Sequence, residues 1–289
     1  MTTRSEDTST LDEIPGTRPP FDVAVIGDNT IDRFVDEPAL GDLVGGNALN
    51  VAVQLSMMGL RVRYYGSVGD DADAEIIRQA IALRGLDLAG VRTERGSTAL
   101  TCIRRRDDGD RYFESESFGV TAHYAPDERE IAEIAAARWV HVGMLPDAAT
   151  VRDRLRAVNP GVVLSQDCSV TPGYDDLTVA FMSAGEDEQE AASVTAAALA
   201  AGVTTAVATL GSLGALGRDA HGATRVEGRK VDVVDTTGAG DSFMAGYIAA
   251  VLEGAALAEA LEAGTRRGGF TCQYVGGWPQ LAGDVEVFG

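Results

Sequence analysis

Short apolar runs that alternate with alanine-rich helical patterns constrain the fold of this chain more than any other feature of its sequence. The apolar runs cover residues 21–26, 62–65, 139–142, 162–164 and 206–210, and the helical patterns cover 74–83, 127–137 and 188–201. Short apolar runs that end at turn residues are typical of buried strands. Because alternating strands and helices pack as a mostly parallel sheet covered on both faces, the sequence predicts a doubly wound α/β fold.

One segment interrupts this alternation. Residues 98–106 and 111–114 have β-type patterns, and Asp107-Asp108-Gly109-Asp110 lies between them. An Asp-Gly pair between two such patterns is a strong hairpin signal. Together with the extended stretch 34–44, this hairpin predicts a small β structure beside the main sheet. A peripheral hairpin of the main sheet is the alternative.

The composition excludes several classes of protein. A formal net charge of −20 argues against a nucleic-acid-binding surface, which needs clustered cations. The three cysteines have no metal-type spacing and favour a reducing compartment. No apolar run approaches the ~20 residues of a membrane span. We therefore expect a cytoplasmic protein without a nucleic-acid or membrane partner.

The length and the local composition of the chain predict one domain preceded by an extension. Residues 1–20 are polar and turn-prone, so they are predicted to be a disordered N-terminal extension. The remaining residues, 21–289, are enough for one α/β domain with a sizeable core.

The run Asp235-Thr236-Thr237-Gly238-Ala239-Gly240-Asp241-Ser242-Phe243 combines small residues with a carboxylate and precedes an apolar helical pattern. The amides of Gly238, Ala239 and Gly240 would form an anion-binding nest at a helix N-terminus. A carboxylate beside a bound phosphate suits one task, which is to accept a proton from an attacking hydroxyl. The run therefore predicts a phosphoryl-transfer site with Asp241 as the base. A glycine turn with Asp241 as the helix N-cap is the alternative.

A second glycine motif, Gly45-Gly46-Asn47-Ala48-Leu49-Asn50, lies nearer the N-terminus and is followed by Gly59, Gly69 and Asp70. The two motifs, in this order, resemble those of the ribokinase-like (PfkB) sugar kinases, and the resemblance covers residues 21–279. It implies a ribokinase-like fold in which the small β structure, residues 34–44 and 98–118, is a lid over the sugar. It also implies ATP as co-substrate, Mg²⁺ as cofactor and transfer of the γ-phosphate to a sugar hydroxyl.

The resemblance implies a sugar-binding set. Asp32 and Asn50 match positions that grip the sugar, and Asp28 belongs to the same connection as Asp32. Gly45 and Gly46 would let the backbone approach the ligand closely. The alternatives are solvated loop acids at Asp28 and Asp32, and a turn or capping amide at Asn50.

The resemblance also implies a nucleotide site and cation sites. The alternative for the nucleotide segment that begins at Thr209 is a plain turn, and the alternative for Asp235 is a strand-end acid that caps the following turn. The residues of the ATP-binding set are Thr209, Gly211, Ser212, Gly214, Gly238 and Gly240. Many members carry Asn-x-x-Glu after a central strand, whereas this chain has Ser183-x-x-Glu186, so Glu186 would hold Mg²⁺ through water and Glu188 is the alternative. Asp235 aligns with a monovalent-cation position, which leaves K⁺ open as a further cofactor.

Finer features resemble the fructoselysine 6-kinases, which phosphorylate a fructose that carries an amine at carbon 1. These features are the opening Gly27-Asp28-Asn29, the Ser183-Ala184 pair and the ending 272–279. An acidic pocket suits such a cationic substrate. Other kinases of the family, for fructose, ribose or a nucleoside, remain alternatives, as does a non-catalytic sugar-binding protein. Relatives that dimerise through the lid leave a homodimer open.

Overall fold

The computed structural model describes residues 21–105 and 111–281. The predicted N-terminal extension, residues 1–20, and the predicted turn at 107–110 lie outside the described residues. Among the described residues, no helix combines the length and the apolar character that a bilayer crossing requires.

The described residues form two sheets and seven α-helices. The strands are β1 Val23–Ile26, β2 Thr30–Phe34, β3 Asp42–Gly45, β4 Val62–Val68, β5 Val91–Thr93, β6 Leu100–Arg105, β7 Arg111–Ser117, β8 Trp139–Val142, β9 Val163–Asp167, β10 Val179–Ser183, β11 Thr205–Thr209, β12 Gly214–Asp219 and β13 Gly222–Glu227. The helices are α1 Asn47–Met57, α2 Ala72–Leu83, α3 Glu128–Ala135, α4 Ala148–Val158, α5 Glu188–Ala200, α6 Ala239–Leu252 and α7 Leu257–Thr271.

The main sheet has nine strands in the order β13-β12-β11-β10-β9-β8-β1-β4-β5. Its strands are parallel except for β12 and β13, which extend one edge as an antiparallel hairpin. Strand β1 is buried on both faces: Val23 and Val25 pack into one apolar layer, and Ala24 and Ile26 pack into the other. A strand covered on both sides reads as continuous apolar sequence. The predicted doubly wound α/β fold is confirmed.

Local capping explains where three of the helices begin. The side chains of Asp71, Asp127 and Asp187 accept hydrogen bonds from amides in the first turns of α2, α3 and α5. At α3, Glu130 bonds back to the Asp127 amide and completes a capping box. The helix limits therefore lie close to those predicted from the sequence.

The second sheet has four strands in the order β3-β2-β6-β7 and corresponds to the predicted small β structure. It begins at Thr30, earlier than the predicted residue 34, because β2 pairs in parallel with β6 and antiparallel with β3. Asp32 therefore lies on a strand of the small sheet rather than in a connection. The small sheet meets the main sheet near the carboxyl end of β1, so both sheets border the predicted acceptor site.

Candidate active site

Asp241 lies in the first turn of α6. The helix begins at Ala239, and Gly238 is its N-cap with a left-handed φ of 72°, so the alternative in which Asp241 is the N-cap is wrong. A Cβ atom at Gly238 would lie 2.5 Å from the Cα atom of Gly277, so the turn needs glycine both for its φ and for this close approach. This turn directs the Asp241 side chain into the protein, where it is buried.

Two of the three predicted nest amides are open. The Ala239 amide donates to the Thr236 carbonyl at 3.2 Å, which closes a turn rather than facing a ligand. In the described part of the chain, the amides of Gly238 and Gly240 donate to no other group. A Cβ at Gly240 would have no atom within 4 Å, so the space around it is free. Open amides at a helix N-terminus suit an anion.

Two carboxamides hold the Asp241 carboxylate. The Nδ2 of Asn47 donates to its Oδ1 at 2.8 Å, and the Nδ2 of Asn50 donates to its Oδ2 at 2.7 Å. Burial raises the pKa of Asp241 to about 8, and the charges of Asp167 and Asp28 act in the same direction, against the hydrogen bonds. Among the described residues, no cation pairs with Asp241. The site therefore contains a carboxyl group whose pKa lies near physiological pH.

The structure adds Asn47 and Asp167 to the site, which the sequence reasoning did not single out. Asn47 Nδ2 also donates to Asp167 Oδ2 at 2.9 Å, and its Oδ1 accepts from the Met144 amide at 3.2 Å. Asp167 ends β9, and burial raises its pKa. The usable signal was its position, since ligands of open α/β sheets bind at the carboxyl ends of strands.

The two predicted acceptor-site acids have different surroundings. The carboxylate of Asp28 accepts from the amides of Asn47 and Ala48, each at 2.9 Å, and so satisfies the first two amides of α1. Burial raises the pKa of Asp28 to about 6. Asp32 is 8% exposed. Burial and the charges of Asp28, Asp235 and Glu116 raise the pKa of Asp32 to about 7.

The paired glycines allow the backbone to pack closely here. A Cβ at Gly45 would lie 2.5 Å from Oδ2 of Asp32, so the carboxylate packs directly against the Gly45 backbone. Gly46 is the N-cap of α1 with φ of 110°, and a Cβ there would lie 2.5 Å from Cα of Asn29. Asn50 points its amide to Asp241, and its Oδ1 is buried with no partner among the described residues.

The predicted nucleotide residues form the connection from β11 to β12. Thr209 ends β11, Gly211 and Ser212 form a short 3-10 turn, and Gly214 starts β12. Ser212 Oγ donates to a carboxylate oxygen of Glu186, which brings the predicted metal residue to this segment.

The alternative metal residue, Glu188, lies instead in the first turn of α5. It forms an ion pair with Arg225 at 3.4 Å.

Asp235 tethers two segments. Its Oδ1 accepts from the amide and the hydroxyl of Thr237, and its Oδ2 accepts from the Gly276 amide at 3.0 Å. The glycine turn before α6 is thereby attached to the C-terminal segment. The cation-binding role of Asp235 stays a prediction.

The sequence matches the family model described as pfkB family carbohydrate kinase over residues 22–152 and 169–280. It is 33% identical over 264 residues to a fructoselysine 6-kinase of Escherichia coli, covering 89% of this chain and 99% of that protein. It is 28% identical over 239 residues to a fructosamine kinase of Bacillus subtilis, covering 78% of this chain and 81% of that protein.

The three-dimensional fold is also similar to that of a solved sugar kinase. The structure of Arabidopsis thaliana ribokinase complexed with ribose and ATP superposes with a TM-score of 0.77 at 21% identity, covering 89% of this chain and 94% of that chain. This likeness confirms the ribokinase-like fold. With a family model matching most of its length, the chain belongs to the pfkB family of carbohydrate kinases, phosphotransferases that act on a sugar hydroxyl.

Proposed function

We propose that this kinase transfers the γ-phosphate of ATP to the 6-hydroxyl of a fructose that carries an amine at carbon 1, with fructoselysine as the best candidate. The fructoselysine 6-kinase and the fructosamine kinase among the relatives support this substrate class. The observation that carries the proposed chemistry is Asp241, a buried carboxylate held by two carboxamides beside the open amides of Gly238 and Gly240.

Asp241 is the proposed general base. Asn47 and Asn50 fix the direction of its carboxylate, so that it takes the proton of the attacking hydroxyl without reorganising. A base works best when its pKa lies near the working pH, and burial brings the pKa of Asp241 to about 8. The amides of Gly238 and Gly240 would stabilise negative charge on the transferring phosphoryl group.

The donor set fits ATP with Mg²⁺ held mainly through water. Within the described residues, no group of three His, Cys, Asp or Glu side chains could hold a metal directly. Glu186 offers one carboxylate beside Ser212, and Mg²⁺ often binds proteins through few carboxylates and several waters. When bound, Mg²⁺ neutralises charge on the nucleotide oxygens. Asp235 is the proposed residue for a monovalent cation.

Asp28, Asp32 and Asn50 are the proposed sugar-binding residues, with Gly45 and Gly46 as the backbone that approaches the ligand. Asp32 and Gly45 lie on the small sheet, so movement of this sheet would change the acceptor site. We propose that the small sheet acts as a lid, because excluding water from the acceptor suppresses hydrolysis of ATP.

The test is an ADP-release assay with Mg·ATP, run with and without potassium. The acceptors are fructoselysine, other fructosamines, fructose, ribose and adenosine. Selective turnover of fructosamines supports the proposal. Preference for fructose, ribose or adenosine would retain the kinase and replace the substrate class. ATP binding without turnover of any of these acceptors would contradict the proposed function.

A further inference from the structure

A cavity of about 530 Å³ lies beside the candidate active site. Its walls come from the segments that follow β1, β7, β8 and β9, and they include Asp28, Phe118, Met144 and Thr171. Because β9, β8 and β1 are neighbours in the main sheet, the cavity opens at the carboxyl ends of three adjacent parallel strands. This volume lies within the ~300–1,000 Å³ typical of ligand pockets.

The cavity is adjacent to the reaction centre. Asp28 lines it and also holds the amide of Asn47, whose side chain bonds to Asp241. On the other side of Asn47, its Oδ1 accepts from the amide of Met144, a second lining residue. Asn47 therefore lies between the cavity and the proposed base. Thr171 donates to the Gly143 carbonyl at 3.3 Å and ties the two loops of the wall together.

The lining is mostly apolar and carries negative charge. Phe118 and Val170 are 41% and 38% exposed, so apolar surface is left uncovered at this place. Two acids, Asp28 and Asp147, line the cavity, and none of its described lining residues is basic. Such a surface favours a ligand with an aliphatic body and a positive charge.

Asp147 is held in an unusual conformation at the cavity. Its φ of 50° is left-handed. It is the N-cap of α4, but its side chain accepts no hydrogen bond from the amides of that helix. Its Oδ1 accepts from the Thr150 hydroxyl at 2.9 Å. Within the described residues no cation pairs with Asp147. Its charge is therefore available to a ligand, and left-handed backbone at a non-glycine residue is often found at ligand sites.

We propose that this cavity binds the substituent on the carbon-1 amine, and that it prefers an aliphatic arm with a positive charge at its far end. The inference rests on the proposed function. Carbon 1 and carbon 6 are the two ends of a ketohexose chain, so a fructose derivative whose 6-hydroxyl faces Asp241 carries its amine away from the reaction centre. The arm then packs on Phe118 and Val170, and its distal cation faces Asp147.

The experiment compares kcat/KM for a series of fructosamines made from methylamine, butylamine, 1,5-diaminopentane and 6-aminohexanoate. The methylamine adduct has no arm and serves as the reference. We expect the butylamine adduct to exceed the reference by about tenfold through apolar burial. We expect the diaminopentane adduct to exceed the butylamine adduct by about threefold and the aminohexanoate adduct to fall below it.

Two variants test the placement. Ala122→Phe fills the cavity and should raise KM for the butylamine and diaminopentane adducts about tenfold while changing the methylamine adduct less than twofold. If Ala122→Phe is poorly folded by circular dichroism, Ala149→Phe replaces it. Ala201→Phe, an exposed alanine after α5, is the matched control.

Asp147→Asn should remove the preference for the diaminopentane adduct and leave the butylamine adduct unchanged. Asn tolerates the same left-handed conformation. Asp176→Asn is the control, because Asp176 also has a positive φ but does not line the cavity.

The outcomes separate the two proposals. If no fructosamine is phosphorylated, the proposed function fails. If all the adducts are phosphorylated with equal kcat/KM in the wild type, or if Ala122→Phe and Ala149→Phe change every adduct equally, the kinase assignment stands and the arm site is overturned.

Discussion

Buried carboxylates at the two ends of strand β1 have opposite surroundings. Asp22 precedes the strand, is 5% exposed, and forms a two-pronged pair with Arg61, from Nε to Oδ2 at 3.0 Å and from Nη2 to Oδ1 at 2.8 Å. Asp28 follows the strand, and among the described residues its carboxylate accepts from backbone amides alone. In the same part of the chain, the carboxylate of Asp241, near the same carboxyl end, accepts from two neutral carboxamides and no other group.

We infer from this difference that the two ends of the strand serve different needs. A guanidinium that faces a buried acid offsets the loss of hydration, so the amino end is arranged for stability. At the carboxyl end burial raises the pKa values of Asp28, Asp32 and Asp241 to about 6, 7 and 8, and no cation from the described residues faces these acids to offset it. Burying these acids without a facing cation lowers the stability of the ligand-free protein. We infer that the acids are present because substrate binding and catalysis need them.

The largest effect should come from Asp241→Asn. Without a base to take the hydroxyl proton, kcat should fall by about 10²–10⁴-fold in the ADP-release assay. Asp232→Asn is the matched control, because Asp232 is an exposed acid in the segment that leads to the same turn. A variant with the wild-type rate at position 241 would show that the base lies elsewhere.

Asn47→Ala should have the next largest effect. It removes a hydrogen bond to Asp241 and one to Asp167, so we expect kcat to fall about 10–100-fold through misplacement of the base. Because the lost bond favours the ionised acid, the rising limb of the pH–kcat profile should also move to higher pH. Asn159→Ala, which removes an amide bond to the Ala135 carbonyl away from the site, should leave the profile in place. A profile unchanged in Asn47→Ala would contradict the positioning role.

Asp22→Asn should reduce stability and not activity. Removing the charge that faces Arg61 should lower the free energy of unfolding by about 1–3 kcal/mol, measured by urea denaturation. Glu128→Gln, at an ion pair whose acid is 89% exposed, should change it by less than about 1 kcal/mol. Equal losses in the two variants would mean that burial of Asp22 contributes nothing to the pair.

Gln280→Ala should have the smallest effect. Its side-chain amide pairs with both backbone groups of Val44 in β3, at 2.8 Å each, and so ties the C-terminal segment to the small sheet beside Gly45. Losing these neutral bonds should lower the free energy of unfolding by about 1 kcal/mol, read from thermal denaturation. The expected change in kcat is less than twofold. A loss of activity as large as that of Asn47→Ala would place this contact in the catalytic machinery instead.

The sequence could predict features that neighbouring residues determine. The alternation of strands and helices predicted the main sheet, and Asp71, Asp127 and Asp187 each cap a helix within their own segment. The glycine turn before α6 was equally local, and its small residues predicted a phosphate site at a helix N-terminus.

Pairings between residues that are far apart in the sequence could not be predicted from it. Strand β2 joins the small sheet by pairing with β6, which lies far along the chain, so Asp32 was placed in a connection. Asn47 and Asp241 are 194 residues apart, and only the packing of α1 against α6 brings them together. The hydrogen bond from the Ala239 amide to the Thr236 carbonyl, which removes one of the three predicted nest amides, depends on turn geometry that small residues do not specify.

The most direct test measures unfolding of ligand-free wild type and Asp241→Asn between pH 5 and 9. The folded pKa of Asp241, about 8, lies above its value in the unfolded chain, so the folded state binds the extra proton and stability falls as pH rises toward 8. Asp28, Asp32 and Asp167 are present in both proteins, so the difference between the two curves reports the ionisation of Asp241 together with its coupling to these acids. We predict that the variant gains stability relative to wild type as the pH rises and is the more stable protein at pH 9. A constant difference, or a wild type that gains on the variant with rising pH, would contradict a carboxylate buried there without a cation.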